Sequence, residues 1–376
     1  MDQVILLAEW FFFGAAALHF SSIIAVLVRF GRNEQGDMPR LDDGGVSILL
    51  PVCGLENYVK ETLRSSLHLD HPRYEVLFCV AQENDPVVPI VRDLIAAHPH
   101  IDARLLIGHS DVTANPKLNN MFKGWEAARY DWILMVDSNV LMPVDHIQQM
   151  RAVWTSDTAL VCSPPAGIAP QNFWAELECA FLNTHQARWQ CFVDSIGFGF
   201  TQGKSMLWNR ELLTRIGGIQ GLGREVAEDA AATKAVRELG LKARLVTDPF
   251  PQPLGFRGAS DVWRRQVRWA RLRRDTFKLW FIPELLTGGL TPLAAATVAA
   301  LAGAIPEIFV ALTAVAWYGA EALLARAAGW PMTARSIAAL LVRDVLLPVL
   351  WFAAWAGNDF TWRGNAMTLA ENGRSS

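Results

Sequence analysis

The chain has 376 residues, of which 52% are hydrophobic and 19% are charged, and its formal net charge is −3. This composition, with a mean hydropathy of +0.19, is too apolar for a soluble protein and too charged for a chain that lies wholly in a membrane. It therefore predicts one soluble domain joined to transmembrane helices. Basic residues crowd only between 257 and 274, which argues against nucleic-acid binding because the rest of the chain is not basic.

The first apolar segment, residues 4–28, is long enough to cross a bilayer, which takes about 20 residues. No positive stretch precedes it, while Arg29 and Arg32 follow it directly, and this pattern argues against a cleaved signal peptide. By the positive-inside rule we expect residues 1–30 to be an anchor with an outside N-terminus and a cytoplasmic domain after it. Arginine outnumbers lysine 27 to 7, which is typical of a GC-rich bacterial genome and predicts a bacterial inner membrane.

The middle of the chain alternates between apolar strands and helical patterns. Residues 31–45 are polar and glycine-rich and predict a linker, and residues 46–256 predict an α/β domain with a mostly parallel sheet covered on both faces. The predicted strands are 46–52, 74–80, 103–108, 132–137, 159–164, 199–208 and 242–248, and the predicted helices lie near 57–68, 86–97, 116–129, 143–154, 171–190 and 227–239.

The last third of the chain begins with a basic segment and continues as a hydrophobic block. Residues 257–280 predict an amphipathic helix on an anionic membrane surface. Residues 281–360 predict two to three spans, and Arg343-Asp344 inside the last one is costly in lipid unless the two side chains pair. A tail, 361–376, follows, and the side of the membrane on which it ends stays open.

Two aspartates fall where predicted strands end. Ligands of open parallel sheets bind beyond the carboxyl ends of the strands, and Asp85 and Asp137 follow two such strands. Asp137-Ser138-Asn139 is similar to the short acidic motif with which sugar-nucleotide enzymes hold a divalent cation, although Asn139 replaces its second carboxylate. We expect Mg²⁺ or Mn²⁺ at Asp137, where the cation would bridge two phosphates.

A carboxylate pair, Glu228-Asp229, opens the helix predicted near 227–239. Acidic residues in a first turn are favoured by the helix dipole, so the pair has a purely structural explanation as well. In the functional interpretation Asp229 is the general base for an attacking hydroxyl, and Glu228 lies in the substrate site beside it. In an inverting glycosyl transfer the base and the leaving diphosphate would lie on opposite faces of the sugar.

Cationic and aromatic residues supply candidates for phosphate binding. Arg265 and Arg268 can hold a diphosphate through paired N–H groups, and Trp269 can pack beside the acceptor. Lys117 lies at a predicted helix start in Asn-Pro-Lys-Leu-Asn-Asn at 115–120, where it can bind phosphate or uracil.

Together these residues resemble family-2-like glycosyltransferases of the GT-A fold, and within them the ceramide glucosyltransferases, also called family 21. The resemblance runs in order from about residue 46 to 274, and an N-terminal anchor, a hydrophobic C-terminus and Trp362-Arg363-Gly364 accompany it. Its ordered elements are Pro51, Asp85 in Asn-Asp-Pro, 115–120, Asp137-Ser138, Thr184-His185, Gln202-Gly203, Glu228-Asp229 and 265–269.

The resemblance implies a GT-A catalytic domain and a role for each matching residue. Asp85, or Asn84 in its place, binds the nucleotide, Asp137 the metal and diphosphate, and Asp229 the acceptor hydroxyl. His185 lies near the donor. The resemblance also implies that Arg265, Arg268 and Trp269 lie on the diphosphate and acceptor side.

The sequence therefore predicts a membrane-bound, inverting glycosyltransferase. It is expected to move a hexose, with UDP-glucose as the expected donor, to the primary hydroxyl of ceramide on the cytoplasmic leaflet, among membrane lipids. UDP-glucuronate or UDP-galactose as donor, and a hopanoid or another lipid alcohol as acceptor, stay open. A rival of another class is an inactive lipid-binding membrane protein, although it predicts erosion of the acidic positions, and Asp85, Asp137 and Asp229 are all present.

Overall fold

The computed structural model describes residues 2–31, 44–362 and 365–369. It divides the chain into two compact units. We call Met1–Gly31, Gly167–Phe192 and Phe256–Ser376 the helical unit, and Arg32–Ala166 with Val193–Gly255 the sheet unit. The prediction drew one continuous domain over 46–256, whereas in the structure residues 167–192 group with the apolar helices. Leu177 and Phe181 in this segment join the hydrophobic cluster that surrounds the last long helix.

Fifteen α-helices occur within the described part of the chain. They are α1 (Asp2–Gly31), α2 (Val59–Ser65), α3 (Val88–Ala97), α4 (Pro116–Ala127), α5 (His146–Ala152), α6 (Phe173–Ala180), α7 (Arg188–Ser195), α8 (Arg210–Arg215), α9 (Gly218–Leu222), α10 (Glu228–Glu238), α11 (Ala259–Thr276), α12 (Lys278–Phe281), α13 (Leu290–Leu301), α14 (Glu307–Ala327) and α15 (Ala334–Trp355). A π-helix, Phe181–Ala187, joins α6 to α7, and a 3₁₀ helix, Ile282–Leu286, follows α12.

The seven predicted strands all occur in the predicted order, together with four short strands that the sequence did not predict. They are β1 (Val46–Val52), β2 (Tyr74–Val80), β3 (Asp102–Ile107), β4 (Trp132–Val136), β5 (Thr158–Ser163), β6 (Pro165–Pro170), β7 (Ser205–Asn209), β8 (Lys242–Leu245), β9 (Phe250–Gly255), β10 (Asp359–Trp362) and β11 (Asn365–Thr368). The sequence did not predict β6 and β9, because both contain prolines, which remove a backbone donor and disfavour strand interiors.

The sheet unit is built around a seven-stranded sheet in the order β3-β2-β1-β4-β7-β5-β8. Six of the seven strands run in the same direction, while β7 is antiparallel to both of its neighbours, β4 and β5. All seven residues of β2 are buried, as expected for a strand with helices on both faces. The mostly parallel sheet predicted from the sequence is confirmed, and β7 is the antiparallel exception.

Among the described residues of the helical unit, three helices are long and apolar enough to cross a membrane, namely α1, α14 and α15. A bent pair, Lys278–Leu286 with Leu290–Leu301, passes the same test together, with a 47° bend. The predicted apolar helices at both ends of the chain are therefore confirmed. Residues 363–364 and 370–376, which include Arg363 and Gly364 of the predicted tail motif, lie outside the described residues.

Candidate functional site

Asp85 lies just past β2 and is fixed by backbone donors. Its carboxylate accepts hydrogen bonds from Gly54 N, at 3.1 and 3.0 Å, and from Val87 N at 2.9 Å. Gly54 follows β1 with φ +66°, a conformation that favours glycine, so the turn after β1 can bring its N–H to the end of the neighbouring strand. Asp85 is half-buried and Asn84 is exposed, so of the two candidates only Asp85 is held in this turn.

The centre of the sheet unit's candidate site is Lys117. Its Nζ lies 2.7 Å from Asp137 Oδ1 and 2.6 Å from Glu228 Oε1, and it donates to Gly203 O at 2.8 Å. Asn115 caps α4 by accepting from Lys117 N at 2.8 Å and also donates to Glu228 Oε2 at 3.0 Å. The helix start predicted from Asn-Pro-Lys thus orients the lysine and one of its carboxylate partners together.

A second lysine, Lys204, completes this group and was not found from the sequence. Its Nζ lies 2.9 Å from Asp137 Oδ2 and 3.3 Å from Asn139 Oδ1. The antiparallel pairing of β4 with β7 is the reason, because Asp137 N donates to Lys204 O at 2.9 Å. The only sequence signal was its position directly after Gln202-Gly203. We call Lys117, Lys204, Asp137, Glu228 and Asp229 the carboxylate–lysine cluster.

Asp229 begins α10 beside Glu228 and faces Gly203. Its carboxylate accepts from Gly203 N at 3.3 Å and from Ala230 N at 2.8 Å. A Cβ at Gly203 would come within 2.7 Å of Glu228 Oε1, so a side chain there would force the cluster apart. Burial, and then the neighbouring charge of Glu228, raise the pKa of Asp229 to about 6. A carboxylate with this pKa can accept a proton near neutral pH.

Two other members of the cluster, Asp137 and Lys117, have pKa values that favour their charged forms. Burial by itself opposes ionisation of Asp137, but the ammonium groups of Lys117 and Lys204 hold its pKa well below the usual range. Burial likewise opposes the charge of Lys117, yet Asp137 and Glu228 raise the pKa of this lysine above its ordinary value. The cluster therefore combines the charged Lys117–Asp137 pair with one carboxylate, Asp229, whose pKa is raised to about 6.

Arg265, Arg268 and Trp269 lie on α11 in the helical unit. Arg265 Nη1 donates to Glu178 Oε1 at 2.5 Å, and Arg257 Nε lies 3.2 Å from Glu178 Oε2. Arg265 also lies over the ring of Trp269, with 6.0 Å from its guanidinium carbon to the ring centroid. Glu178 is fully buried, so its two arginine partners are needed to offset its charge. The sequence did not indicate Glu178.

His185 lies on the π-helix of the helical unit. Its Nε2 is 3.4 Å from Thr287 Oγ1, while its buried Nδ1 has no hydrogen-bond partner among the described residues. Burial, and then the charges of Arg343 and Arg188, lower the pKa of His185 well below its ordinary value, so it is neutral at pH 7. The π-helix is a feature that often marks functional positions, and the sequence prediction of one long helix over 171–190 did not include it.

The oxygen atoms around Asp137 indicate which kind of divalent-cation site these residues can form. They offer one carboxylate and the amide oxygen of Asn139, and both carboxylate oxygens accept from lysines. Within residues 2–31, 44–362 and 365–369 there is no group of three His, Cys, Asp or Glu side chains suited to a metal. Mg²⁺ commonly keeps several waters and binds one or two carboxylates plus phosphates of a substrate. The residues therefore fit a cation that arrives with a phosphorylated ligand rather than one in an all-protein site.

Comparison with known proteins gives a consistent picture. The family model described as glycosyl transferase family 21 matches residues 14–375. Ceramide glucosyltransferase 1 of Caenorhabditis elegans is 31% identical over 260 residues, which are 69% of this chain and 56% of that protein. The ceramide glucosyltransferase of Komagataella phaffii is 27% identical over 308 residues, which cover 66% of this chain and 60% of its own length. The chain thus spans between half and two thirds of these relatives.

One solved structure shows the fold. The mannosyltransferase PcManGT from Pyrobaculum calidifontis, solved in complex with GDP-Man and Mn²⁺, superposes with a TM-score of 0.52 at 16% identity. The match covers 93% of this chain and 98% of that one. The GT-A fold predicted from the sequence is confirmed by this likeness, which extends beyond the sheet into the helical segments.

Proposed function

The chain belongs to glycosyltransferase family 21, and we propose that it transfers a hexose from a UDP-sugar to the primary hydroxyl of ceramide with inversion. UDP-glucose is the proposed donor, because both relatives described above are ceramide glucosyltransferases by name. The observation that carries the chemistry is the Asp229 carboxylate, which is oriented by Gly203 N and has its pKa raised to about 6.

In the proposed reaction Asp229 is the general base. It accepts the proton of the ceramide hydroxyl while the hydroxyl oxygen forms a bond to the anomeric carbon of the sugar. The bond from that carbon to the diphosphate oxygen breaks with its electron pair on the leaving UDP, which inverts the configuration. Asp229 then releases the proton to solvent. A carboxylate with an ordinary pKa would be a weaker base, so burial beside Glu228 serves the transfer.

The cationic residues are proposed to stabilise the negative charge on the leaving diphosphate. Lys117 is positioned by two carboxylates at 2.6 and 2.7 Å, which fix its ammonium group for electrostatic stabilisation. Arg265 and Arg268 are proposed to bind the diphosphate through guanidinium N–H groups, and Trp269 to pack beside the acceptor. A divalent cation held by Asp137 and Asn139 with the phosphates would offset the same developing charge.

Two further residues complete the proposed substrate contacts. Asp85 is proposed to bind the nucleotide, since its turn after β2 lies at the carboxyl end of the parallel strands. Glu228 keeps Lys117 in place and so belongs to the substrate site. His185 is neutral and keeps a buried, unpaired Nδ1, which suits a hydrogen bond to a hydroxyl of the donor.

The proposed setting is a bacterial inner membrane with the catalytic residues on the cytoplasmic side. Three helices fit a membrane protein by length and composition. Arg29 ends the first of them, and a basic residue at that end favours a cytoplasmic location for the chain that follows.

Mass spectrometry of reaction products tests the proposal. Membranes that contain the expressed protein are incubated with ceramide and, separately, UDP-glucose, UDP-galactose and UDP-glucuronate. We expect a hexosylceramide from UDP-glucose and none from membranes that carry Asp229→Asn. Product from another donor alone would replace the donor assignment, product only with a hopanoid would replace the acceptor, and release of no UDP with any pair would favour the lipid-binding alternative.

A further inference from the structure

The last long apolar helix, α15, has two different faces. Its exposed side is an apolar stripe formed by Ile337, Leu341, Val345, Val349 and Phe352. Its other side carries the buried charged pair Arg343-Asp344. A helix inside a bundle would be covered on all sides, and a lone span would not place two charges at mid-length without protein around them. The stripe is therefore one exposed face of a helix whose opposite face is packed on protein.

The start of α15 is attached to α6. Ser336 Oγ donates to Glu176 Oε2 at 2.5 Å, and Thr333, which caps the helix, donates to Glu176 Oε1 at 3.3 Å. About two turns after Ser336, Arg343 Nη1 donates to Thr184 Oγ1 at 2.7 Å. The first half of α15 thus follows α6 and the π-helix, and its polar start is bound to a buried carboxylate of α6.

The end of α15 is attached to α11. Arg274 Nη1 donates to the backbone oxygen of Ala354 and, at 3.3 Å, to that of Gly357, and its Nη2 donates to Asn358 Oδ1 at 2.6 Å. Arg271 Nη2 donates to Ala353 O at 3.4 Å. Val262 and Val267 of α11 also join the hydrophobic cluster that includes Leu340 and Leu347 of α15. The contacts between α15 and α11 therefore extend over most of both helices.

The composition of α11 decides how α15 can lie. In its 18 residues α11 carries six arginines, at 264, 265, 268, 271, 273 and 274. If α15 crossed the bilayer, α11 would have to cross beside it, and arginines are costly at the centre of a bilayer. Parallel to the surface, α11 keeps the exposed Arg264 at the level of the lipid phosphates, which attract basic residues. The more buried Arg265 and Arg274 stay bound to protein partners.

The contact of α15 with α14 is confined to a short stretch of each helix. The two helices meet where Arg343 pairs with Glu321, at 2.8 and 3.1 Å, and where Tyr318 donates to Asp344 at 3.0 Å. Glu321 is six residues before the end of α14, which is roughly 9 Å at 1.5 Å per residue. Interfacial helices lie about 5–10 Å into the boundary of headgroups and acyl chains, so this depth suits a helix in the membrane plane.

The remaining apolar helices define the crossings. Ring pairs Phe12–Phe309, at 6.0 Å, and His19–Trp317, at 3.7 Å, show that α1 and α14 run side by side in the same direction. Because α1 and α14 run in the same direction, the chain between them must cross the membrane once in the opposite direction. The bent pair 278–286 with α13 is the segment available for this, since α13 is packed against both α1 and α14.

We propose that α15 lies in the plane of the membrane, with its apolar stripe on the acyl chains of the leaflet at which α1 ends, and does not cross. The chain then crosses three times, through α1, the bent pair and α14, and Ala356, directly after α15, lies on the same side as the end of α1. Acyl chains are the proposed occupant because α1 and α14 also expose apolar side chains, and because α11, which packs along α15, is an arginine-rich helix suited to a membrane surface.

Labelling of single cysteines in sealed vesicles of known orientation tests the crossings. Cys53 is the one exposed cysteine of the native set, so Cys53→Ser provides the background. Ala304→Cys, Ala327→Cys and Ala356→Cys each place a thiol at an exposed residue, after α13, at the end of α14 and after α15. With a membrane-impermeant maleimide we expect positions 327 and 356 to react from one side and 304 from the other. Reaction of 327 and 356 from opposite sides would overturn the proposal, as would reaction of 304 from their side.

Depth measurements on the stripe test the occupant. Spin labels at Ile337→Cys, Val345→Cys and Phe352→Cys, in lipid nanodiscs, are compared for collision with oxygen and with a polar nickel chelate. An in-plane helix gives three similar depths with high oxygen accessibility. A spanning helix would give a gradient of about 22 Å over the 15 residues at 1.5 Å per residue. Low oxygen accessibility at all three positions would mean that protein, such as a second copy of the chain, covers the stripe, and would equally overturn the proposal.

Discussion

Two groups of charged residues, one in each unit, differ in exposure and in balance. The carboxylate–lysine cluster of the sheet unit has three carboxylates and two ammonium groups, and the Asp137 side chain keeps 23% of its surface exposed. In the helical unit, Arg188, Arg343, Glu321 and Asp344 form what we call the buried ion cluster. It has two positive and two negative groups, and the side chains of Arg343 and Glu321 are fully buried.

This difference indicates which cluster is suited to catalysis and which one stabilises the packing of helices. Arg343 is saturated, since it donates to Glu321, Asp344, Thr184 and the backbone of Ala180. A cluster of balanced charge, with Arg343 fully hydrogen-bonded at its centre, stabilises one arrangement of helices. The carboxylate–lysine cluster has one carboxylate more than it has lysines, and burial together with the neighbouring charge of Glu228 raises the pKa of Asp229. An unbalanced, partly exposed cluster can bind a substrate and move a proton.

The largest effect is expected from Asp229→Asn. Removal of a general base lowers turnover by about 10²- to 10⁴-fold, while binding of the UDP-sugar should change little because the amide keeps the same shape. In the native enzyme the rate should rise with pH through about 6, since only the ionised carboxylate accepts a proton. Turnover and a pH–rate profile, with donor binding measured by calorimetry, check this. Retained turnover in the variant would exclude Asp229 as the base.

Thermal unfolding of the same variant gives the control. The pKa of Asp229 is raised in the folded state, so the group stabilises the fold below its unfolded pKa of about 3.9, and this contribution is lost as pH rises through about 6. An asparagine at position 229 cannot ionise, so the Asp229→Asn variant does not lose this stability as pH rises. The unfolding midpoint at pH 7.5 is therefore expected to stay level or rise, and a fall of many degrees would mean that the lost turnover reflects damage to the fold.

The next effect concerns the buried ion cluster. Arg343→Met leaves Glu321 and Asp344 buried with one fewer cation, and breaking a buried pair in this way costs about 3–5 kcal/mol. We expect a lower unfolding midpoint in detergent, and Arg343→Lys should restore part of it. Arg326→Met is the matched control, because Arg326 is exposed at the end of α14. Equal midpoints for the 343 and 326 methionine variants would contradict the structural role of the buried ion cluster.

A change at Lys117 sharpens the comparison within the sheet unit. Lys117→Met removes a positioned donor, for which a loss of roughly 10²-fold in turnover is expected. It also removes a charge that lowers the pKa of Asp229, so the midpoint of the pH–rate profile should move above 6. Lys204→Met is the control, since Lys204 contacts Asp137 and Asn139 rather than Glu228. A midpoint that stays at the native pH in Lys117→Met would contradict the coupling.

The smallest effect is expected at Glu178, which holds Arg265. Glu178→Gln keeps the shape but weakens the two charge-assisted contacts, so Arg265 becomes less well oriented. We expect KM for the UDP-sugar to rise about tenfold with kcat nearly unchanged, which corresponds to about 1.4 kcal/mol. Glu176→Gln, two residues earlier on α6, is the control because it contacts Ser336 and Thr333 instead. An equal rise in KM for both variants would indicate a general disturbance of α6.

Much of the sheet unit could be predicted from sequence, because its strands are short apolar runs and its site residues follow them directly. Asp85 and Asp137 were found by their positions after β2 and β4, and Lys117 by the Asn-Pro-Lys helix start. Lys204 was not found, because its proximity to Asp137 depends on the antiparallel β4–β7 pair. Glu178 was not found, because its partners are 79 and 87 residues away along the chain. Pairings at such separations have no local pattern.

The sequence by itself determined the family, the order of strands and helices, and the presence of apolar helices at both ends. These properties depend on local periodicity and on motifs of a few neighbouring residues. Such patterns can be read from the sequence without knowledge of the tertiary contacts. Only the tertiary structure decided which charges are paired, that Asp229 has a raised pKa, and that α15 packs along arginine-rich α11. Those features depend on burial and on distances between residues remote in the chain, and hydropathy alone would have counted α15 as one more span.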